Sequence, residues 1–493
     1  MNRALRRISI AVLVMFVLLL ININYLQGFE PASLATKQGN ARAFEAQFQY
    51  QRGSIITADG VTIAESVPST DIYKFQRKYP HGPEYAPVTG YDTLYSESAL
   101  EYYENTVLNG SDSSLTVRNF IDLLTGKPRK GANVTLTINS KAQDAAWSAL
   151  QSDTNGKPGA VVALDPQTGA ILAMASYPSY DPNVLATHSG KQLITADDAL
   201  LKQAGNPLLN RAINFTWPPG STFKIVTSSA YLGQNSSSTP QTNVYSPTQL
   251  KLPNGNLLNN NDGEKCAGGT GQTMLITAFA ESCDTTFGNL GVHLGGDAIK
   301  NYADLFGMNT ALNIPMAVSP SHYPPVSDKS LTALSAIGQF NDTVTPLQEA
   351  MFAAAVANGG KLMKPYLVKQ VTASDLSTVQ TTAPGPLGQG LSPSIASDLG
   401  QMMLAVVQNP DGTANAFNTA AEGGITIAGK TGTAQNGLNN SGASDSVFTC
   451  YAPYANPQIA VGVIVQGAGY GATVAAPIAV KVIKAYLASL GKS

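Results

Sequence analysis

From Ile8 to Phe29 the chain runs for 22 residues without a charged side chain. As a helix that stretch is ~33 Å long, enough to cross the ~30 Å hydrocarbon layer of a membrane. Such a segment has no place in a soluble core, so it fixes how the remainder is presented. Arg3, Arg6 and Arg7 precede it, and basic residues on that side keep an N-terminus cytoplasmic. The expectation is a cytoplasmic stub and single anchor over residues 1–30, with everything after it outside the membrane. A cleaved signal peptide gives the same pattern, with Ser33-Leu34-Ala35 as its cleavage site, although that site lies far beyond the apolar run.

The 493 residues leave room for about two to four domains and at least one large core. Only 13% of residues are charged, about half the usual share; uncharged polar residues and glycine take their place, which suits an external surface. A net charge of -2 gives no electrostatic footprint for nucleic acid. Three cysteines are too few for a disulfide scaffold.

Residues 31–131 are polar and rich in turn signals. Asp59-Gly60 between Gly53–Ile56 and Val61–Ala64 reads as a hairpin. The region has no long amphipathic helix and no reactive cluster, so it is expected to be a non-catalytic pedestal domain. A new regime begins near Ala132. Val134–Ile138 alternates like a half-buried strand. Ala160–Leu164 and Ala170–Met174 flank Asp165-Pro166-Gln167-Thr168-Gly169, and Phe448–Ala452 and Ile459–Val465 flank Asn456-Pro457; both pairs predict antiparallel hairpins. Helical patterns lie between them, including Leu347–Ala357, and another closes the chain at Ile478, Val482, Ile483 and Tyr486. Strands at both ends with helices between predict an α+β domain over residues 132–493, an antiparallel sheet with helices on both faces.

Three short motifs carry the chemistry. In Trp217-Pro218-Pro219-Gly220-Ser221-Thr222-Phe223-Lys224 the Pro-Pro-Gly run stops what precedes it, and an apolar helix follows. Ser221 then stands at a helix N-terminus, where free N–H groups and the dipole can stabilise an oxyanion. Lys224 is one turn further along the same face, so its amine is expected to reach the Ser221 hydroxyl, and apolar neighbours would lower its pKa and free it as a base. Ser-x-x-Lys alone is weak, since about two such matches occur by chance in a chain this long. Gly429-Lys430-Thr431-Gly432-Thr433 follows Ile425–Ala428 and reads as a strand. Its glycines would let a substrate backbone lie alongside as an added strand, with Lys430, Thr431 and Thr433 offering charge and hydroxyls to a carboxylate. By chance Lys-Thr-Gly is expected only about 0.1 times here. Between the two lies Ser282-Cys283-Asp284, where Ser282 could relay a proton between the lysines and a leaving amine.

The ordered triplet Ser-x-x-Lys, Ser-x-Asp and Lys-Thr-Gly resembles the penicillin-binding proteins. The chain is most similar to the class B, monofunctional transpeptidases and, among these, to their actinobacterial A branch. The resemblance also covers Gln51–Ile55, Tyr85–Gly90, Leu108–Asp112, Gly159–Leu164, Tyr177–Asn183, Val344–Leu347 and Ala357–Gly360. It implies a transpeptidase domain, a pedestal and one membrane helix. It further implies that Ser221 attacks the penultimate D-Ala carbonyl of a peptidoglycan stem peptide, with Lys224 as base, Ser282 and Lys430 as further catalytic groups, and the N–H groups of Ser221 and Thr433 as oxyanion hole. Asp284, Thr431, Gly432 and Thr433 would bind substrate. β-Lactam antibiotics would acylate the same serine. The implied partner is a membrane-embedded glycan polymerase of the shape, elongation, division and sporulation class; no cofactor is implied. One departure stands out: the family usually has Asn where this chain has Asp284, which bears on the efficiency of the site.

The four histidines, His81, His188, His293 and His322, show no metal-ligand spacing and no Ser-His-Asp arrangement. Cys266 and Cys283, outside the membrane on this topology, are either a disulfide, contributing ~3 kcal/mol in the chain-entropy model, or two reduced thiols. Cys450 falls in an apolar strand and reads as a buried free thiol. Two other functions stay open. A serine β-lactamase or penicillin sensor shares the motifs, though only seven residues precede Ile8 to serve a sensor. A catalytically weak scaffold for wall-synthesis partners would account for Asp284.

Overall fold

The computed structural model describes residues 3–28, 47–115, 124–125, 128–435 and 442–491. The N-terminal helix is α1 (Arg3–Gly28), and seven helices matter for the site: α2 (Ser140–Asp153), α3 (Lys224–Gln234), α4 (Leu275–Ala280), α5 (Asp284–Leu294), α6 (Pro346–Ala357), α7 (Pro393–Gln408) and α8 (Ala475–Ser489). The apolar window of α1, Arg6–Tyr25, has a mean hydropathy of 2.4 and none of it is buried by the rest of the chain. The candidate cleavage site at Ser33–Ala35 lies outside the described residues.

The pedestal is organised by β1 (Ile55–Ile56), β2 (Thr62–Pro68) and β3 (Phe75–Lys78). As the Asp59-Gly60 turn predicts, β1 and β2 are antiparallel. The sheet does not end there. β4 (Asn133–Leu136) pairs parallel to β1, and strands Val368–Thr372 and Thr378–Thr381 extend the sheet beyond it. One six-stranded sheet therefore ties the pedestal to a segment before the first reactive motif and to a hairpin between the second and the third.

A buried ionic cluster locks the pedestal. Glu101, fully buried, accepts from Arg52 Nε at 2.6 Å, from Arg77 Nε at 2.7 Å and from the Tyr79 hydroxyl at 3.2 Å. Burial alone would raise its pKa; Arg77 and Arg52 outweigh that and hold the carboxyl below the ordinary value. Tyr79 also accepts from the Asp92 backbone N–H at 2.8 Å. Tyr79→Phe should leave that buried N–H unpaired and cost about 2 kcal/mol, read as a lower urea midpoint at unchanged slope. An unchanged midpoint would show that the cluster does not brace this domain.

The second sheet holds five antiparallel strands in the order β7-β8-β9-β5-β6: β5 (Gly159–Leu164), β6 (Ile171–Tyr177), β7 (Ala428–Ala434), β8 (Asp445–Ala452) and β9 (Ile459–Val465). Both expected hairpins form, β5 with β6 and β8 with β9. Every residue of β5, β8 and β9 is buried, because α2 and α8 cover one face and α6 the other. Burial on both faces is why these strands read as continuous apolar runs rather than alternating ones. The result is the expected α+β architecture, an antiparallel sheet with helices on both faces.

Candidate active site

The Pro-Pro-Gly run acts as the sequence implies. Trp217, buried, bridges to Val344 through two backbone hydrogen bonds of 2.8 and 2.9 Å. A single 3-10 turn, Gly220–Phe223, then leads directly into α3. Gly220 has φ +55° and donates to Gly338 O at 2.9 Å. Phe223 is fully buried and stacks on Tyr323, with centroids 5.5 Å apart. Thr222, Phe223 and Lys224 are buried, whereas Ser221 is partly exposed. The turn thus anchors its neighbours and presents the one hydroxyl to solvent.

The structure brings together Lys224 from α3, Ser282 from the loop before α5, Asp284 from the start of α5 and Lys430 from the strand Ala428–Ala434. Lys224 Nζ donates to Ser282 O at 2.7 Å, to Ser282 Oγ at 3.2 Å and to Asp284 Oδ1 at 2.6 Å. Lys430 Nζ reaches Ser282 Oγ at 2.8 Å. The expected direct contact is different: among the described residues no hydrogen bond joins Lys224 to Ser221. The Lys224 amine has three acceptors, matching the three hydrogens of an ammonium, and a carboxylate at 2.6 Å outcompetes a neutral hydroxyl. Ser282 has φ +62°, a left-handed conformation that a serine rarely adopts. The disulfide joining Cys266 and Cys283 fixes the loop between Ser282 and Asp284, and Asp284 opens α5.

Both amines are fully buried, each 5.5 Å from an aromatic centroid, Lys224 over Phe287 and Lys430 over Phe279. Burial lowers the Lys224 pKa, and Asp284 opposes it. Burial and the neighbouring Lys224 charge push Lys430 well below its ordinary value, with Asp284 offsetting part. Ser282 Oγ therefore bridges two amines that lose protons more readily than free lysines.

Strand β7 begins at Ala428 rather than Ile425 and runs through the Lys-Thr-Gly motif. It pairs with β8 and is the edge strand of its sheet, so its free edge can take an added strand. The glycines are needed for packing as well. A Cβ at Gly432 would fall 2.8 Å from Pro219 O and 3.1 Å from the Thr222 methyl; one at Gly429 would fall 2.8 Å from the Phe448 ring. Gly432 thus admits the Ser221 turn against the strand. Thr431 and Thr433 alternate onto the face opposite Lys430 and Gly432. Thr431 Oγ1 lies 2.6 Å from the hydroxyl of Thr413, a residue no motif marked. Gln339 Nε2 reaches Thr433 O at 3.5 Å. Glu349, equally unmarked because its contact is tertiary, has Oε1 2.8 Å from the Thr222 hydroxyl.

The remaining candidates stand apart. His188 contacts Asp71, His322 Asn309, His293 its own helix at Asn289 O, and His81 the Tyr85 ring. Cys450 is a buried free thiol whose pKa burial raises.

Comparison with known proteins agrees with this geometry. Residues 159–484 match the penicillin binding protein transpeptidase domain, and residues 52–134 the penicillin binding protein A dimerisation domain. The chain is 41% identical to the peptidoglycan D,D-transpeptidase PbpA of Mycolicibacterium smegmatis and 38% identical to that of Mycobacterium tuberculosis, each over 99% of both chains. Penicillin-binding protein A from M. tuberculosis, solved as a ceftriaxone acyl-enzyme complex, superposes with a TM-score of 0.86 at 37% identity, over 90% of this chain and 100% of that one. Its penicillin G acyl-enzyme complex gives 0.83 at 38% identity, over 89% and 100%. Matched in both domains and along its whole length, the chain belongs to the penicillin-binding protein A family of transpeptidases.

Proposed function

We propose that this protein is a peptidoglycan D,D-transpeptidase that works through an acyl-enzyme on Ser221. The observation that carries the reading is the Lys224–Ser282–Lys430 chain of hydrogen bonds beside the partly exposed serine and the free edge of β7. A stem peptide adds along that edge, its terminal carboxylate meeting the Thr431 and Thr433 hydroxyls while Lys430 supplies positive charge from the other face of the strand. Ser221 Oγ bonds to the penultimate D-Ala carbonyl carbon while its proton passes to the neutral amine of Lys224. The N–H groups of Ser221 and Thr433 take the oxyanion. When the C–N bond breaks, the proton returns through Ser282 to the departing D-Ala amine. An amine of a second stem then attacks the ester, releases Ser221 and completes the cross-link. A β-lactam enters the same first half-reaction, its amide bond opening to give an ester on Ser221. The test is turnover: the purified chain should convert a stem-peptide donor and an amine acceptor into cross-linked product and hold penicillin as a stable ester. Rapid release of hydrolysed penicillin without cross-linking would favour a β-lactamase instead.

The same reading assigns residues 1–30 to a stub and retained anchor, 31–131 to a pedestal and 132–493 to the catalytic domain, outside the cytoplasmic membrane. A membrane-embedded glycan polymerase is the fitting partner, since cross-linking needs fresh glycan at the membrane surface. The mature protein should therefore keep its N-terminus and fractionate with membranes. Soluble mature protein beginning near Thr36 would contradict this topology.

A further inference from the structure

Glu349 is the fourth residue of α6, at the end of its first turn, and is fully buried. Its place is fixed from both sides. The Thr449 hydroxyl on β8 donates to its backbone carbonyl, and a Cβ on Gly462 of β9 would fall 2.7 Å from its own Cβ. Its Oε1 is 2.8 Å from Thr222 Oγ1, and Thr222 Oγ1 is 2.8 Å from Pro219 O. A threonine hydroxyl has one hydrogen, and a backbone carbonyl can only accept. Both bonds form together only if Thr222 donates to Pro219 and accepts from a proton carried by Glu349. The Thr222–Pro219 bond closes the backbone around Gly220 and Ser221.

A second feature agrees. Glu349 Oε2 is buried and, among the described residues, has no partner. An ionised carboxylate would leave that oxygen charged and unpaired, which costs far more than leaving a neutral one. Burial pushes the carboxyl up to about 8, with the Thr222 bond alone opposing it. Ionisable side chains on the elements packed against α6 are Asp445, Cys450 and Tyr451 on β8, Asp398 on α7 and Arg211 on the short helix Arg211–Asn214; β5 and β9 have none. None of these contributes to the shift at Glu349.

We propose that Glu349 is a positioning residue for acylation, which in its protonated form donates to Thr222 and so keeps the Thr222 hydrogen on Pro219, holding the turn that aims Ser221. The proposal rests on Ser221 being the nucleophile. When Glu349 ionises, the Thr222 hydrogen turns to the carboxylate and Pro219 O loses it. The turn slackens and acylation falls, even as the lysines become better bases.

The experiment is the acylation rate of the full-length chain in detergent with a fluorescent penicillin, read as the ratio of the rate at about pH 9.5 to that at about pH 7.5. Glu349→Gln keeps a donor toward Thr222 but cannot ionise. Its ratio should exceed that of the parent by about three- to tenfold, the size of one neutral hydrogen bond. Thr222→Val keeps the branched shape and removes the link, so its ratio should exceed the parent's in the same sense. Both variants share the lysines, whose rise with pH cancels in the comparison; a purely structural role for Glu349 would change the rates and leave the ratio alone. Ratios equal to the parent's in either variant overturn the proposal. A parent chain that takes no label at any pH removes the nucleophile reading itself, and with it this one.

Discussion

Ser221→Ala will abolish covalent labelling by a β-lactam and leave the fold intact. Its hydroxyl is the one in the Gly220–Phe223 turn that reaches solvent, being partly exposed; Thr222, the other hydroxyl there, is buried and bonded to Pro219 and Glu349. Among the described residues the Ser221 side chain makes no hydrogen bond, so its loss leaves nothing buried and unpaired, and the stability change should stay within about 0.5 kcal/mol. Without the oxygen no ester can form. Residual donor turnover should fall by at least about a thousandfold, the scale on which removing a nucleophile acts. Undiminished labelling of a folded alanine variant would show that another residue is acylated.

Asp284→Asn will speed acylation at neutral pH and move its rise to lower pH. Lys224 is pulled both ways: burial lowers its pKa, and Asp284, 2.6 Å away, raises it. The ion pair therefore offsets part of the fall that burial imposes, and only the neutral fraction of the amine can take the Ser221 proton. Below the lysine pKa the neutral fraction grows tenfold per pH unit, so lowering that pKa enlarges the neutral fraction at any fixed pH. Asparagine removes the charge but still offers an oxygen to Lys224, and its N–H groups add a donor for a substrate carbonyl that an ionised Asp lacks. Recovering a bond of that kind is worth ~1–3 kcal/mol, or roughly five- to a hundredfold in rate. Rates for both forms across neutral pH decide. If the Asn variant is equal or slower at every pH, Asp284 does not restrain this site.

Much of this was legible because the reactive groups sit in short local patterns. Pro-Pro-Gly before Ser221 is a backbone instruction that needs no tertiary partner, and continuous apolar runs such as β5 and β9 announce a sheet covered on both faces. What stayed hidden depends on contacts between distant segments. That Lys224 turns from Ser221 to Asp284 follows from how the loop before α5 is placed, which the spacing of three between Ser221 and Lys224 does not encode. Gly432 reads as a substrate groove in the sequence, yet the space its missing Cβ leaves is filled by Pro219 and Thr222, more than two hundred positions earlier. Thr413 and Glu349 lie in unremarkable surroundings and gain meaning only from the side chains they meet. The parallel pairing of β1 with β4 likewise joins regions whose compositions look independent.

Ser221, partly exposed in the Gly220–Phe223 turn, is the expected site of the acyl-enzyme. Mass mapping of the intact chain after reaction with penicillin tests it most directly. One equivalent of opened β-lactam is expected, found as an ester on the peptide containing Ser221 and on no other. An adduct on a different residue, or a folded chain that takes up none, would contradict it.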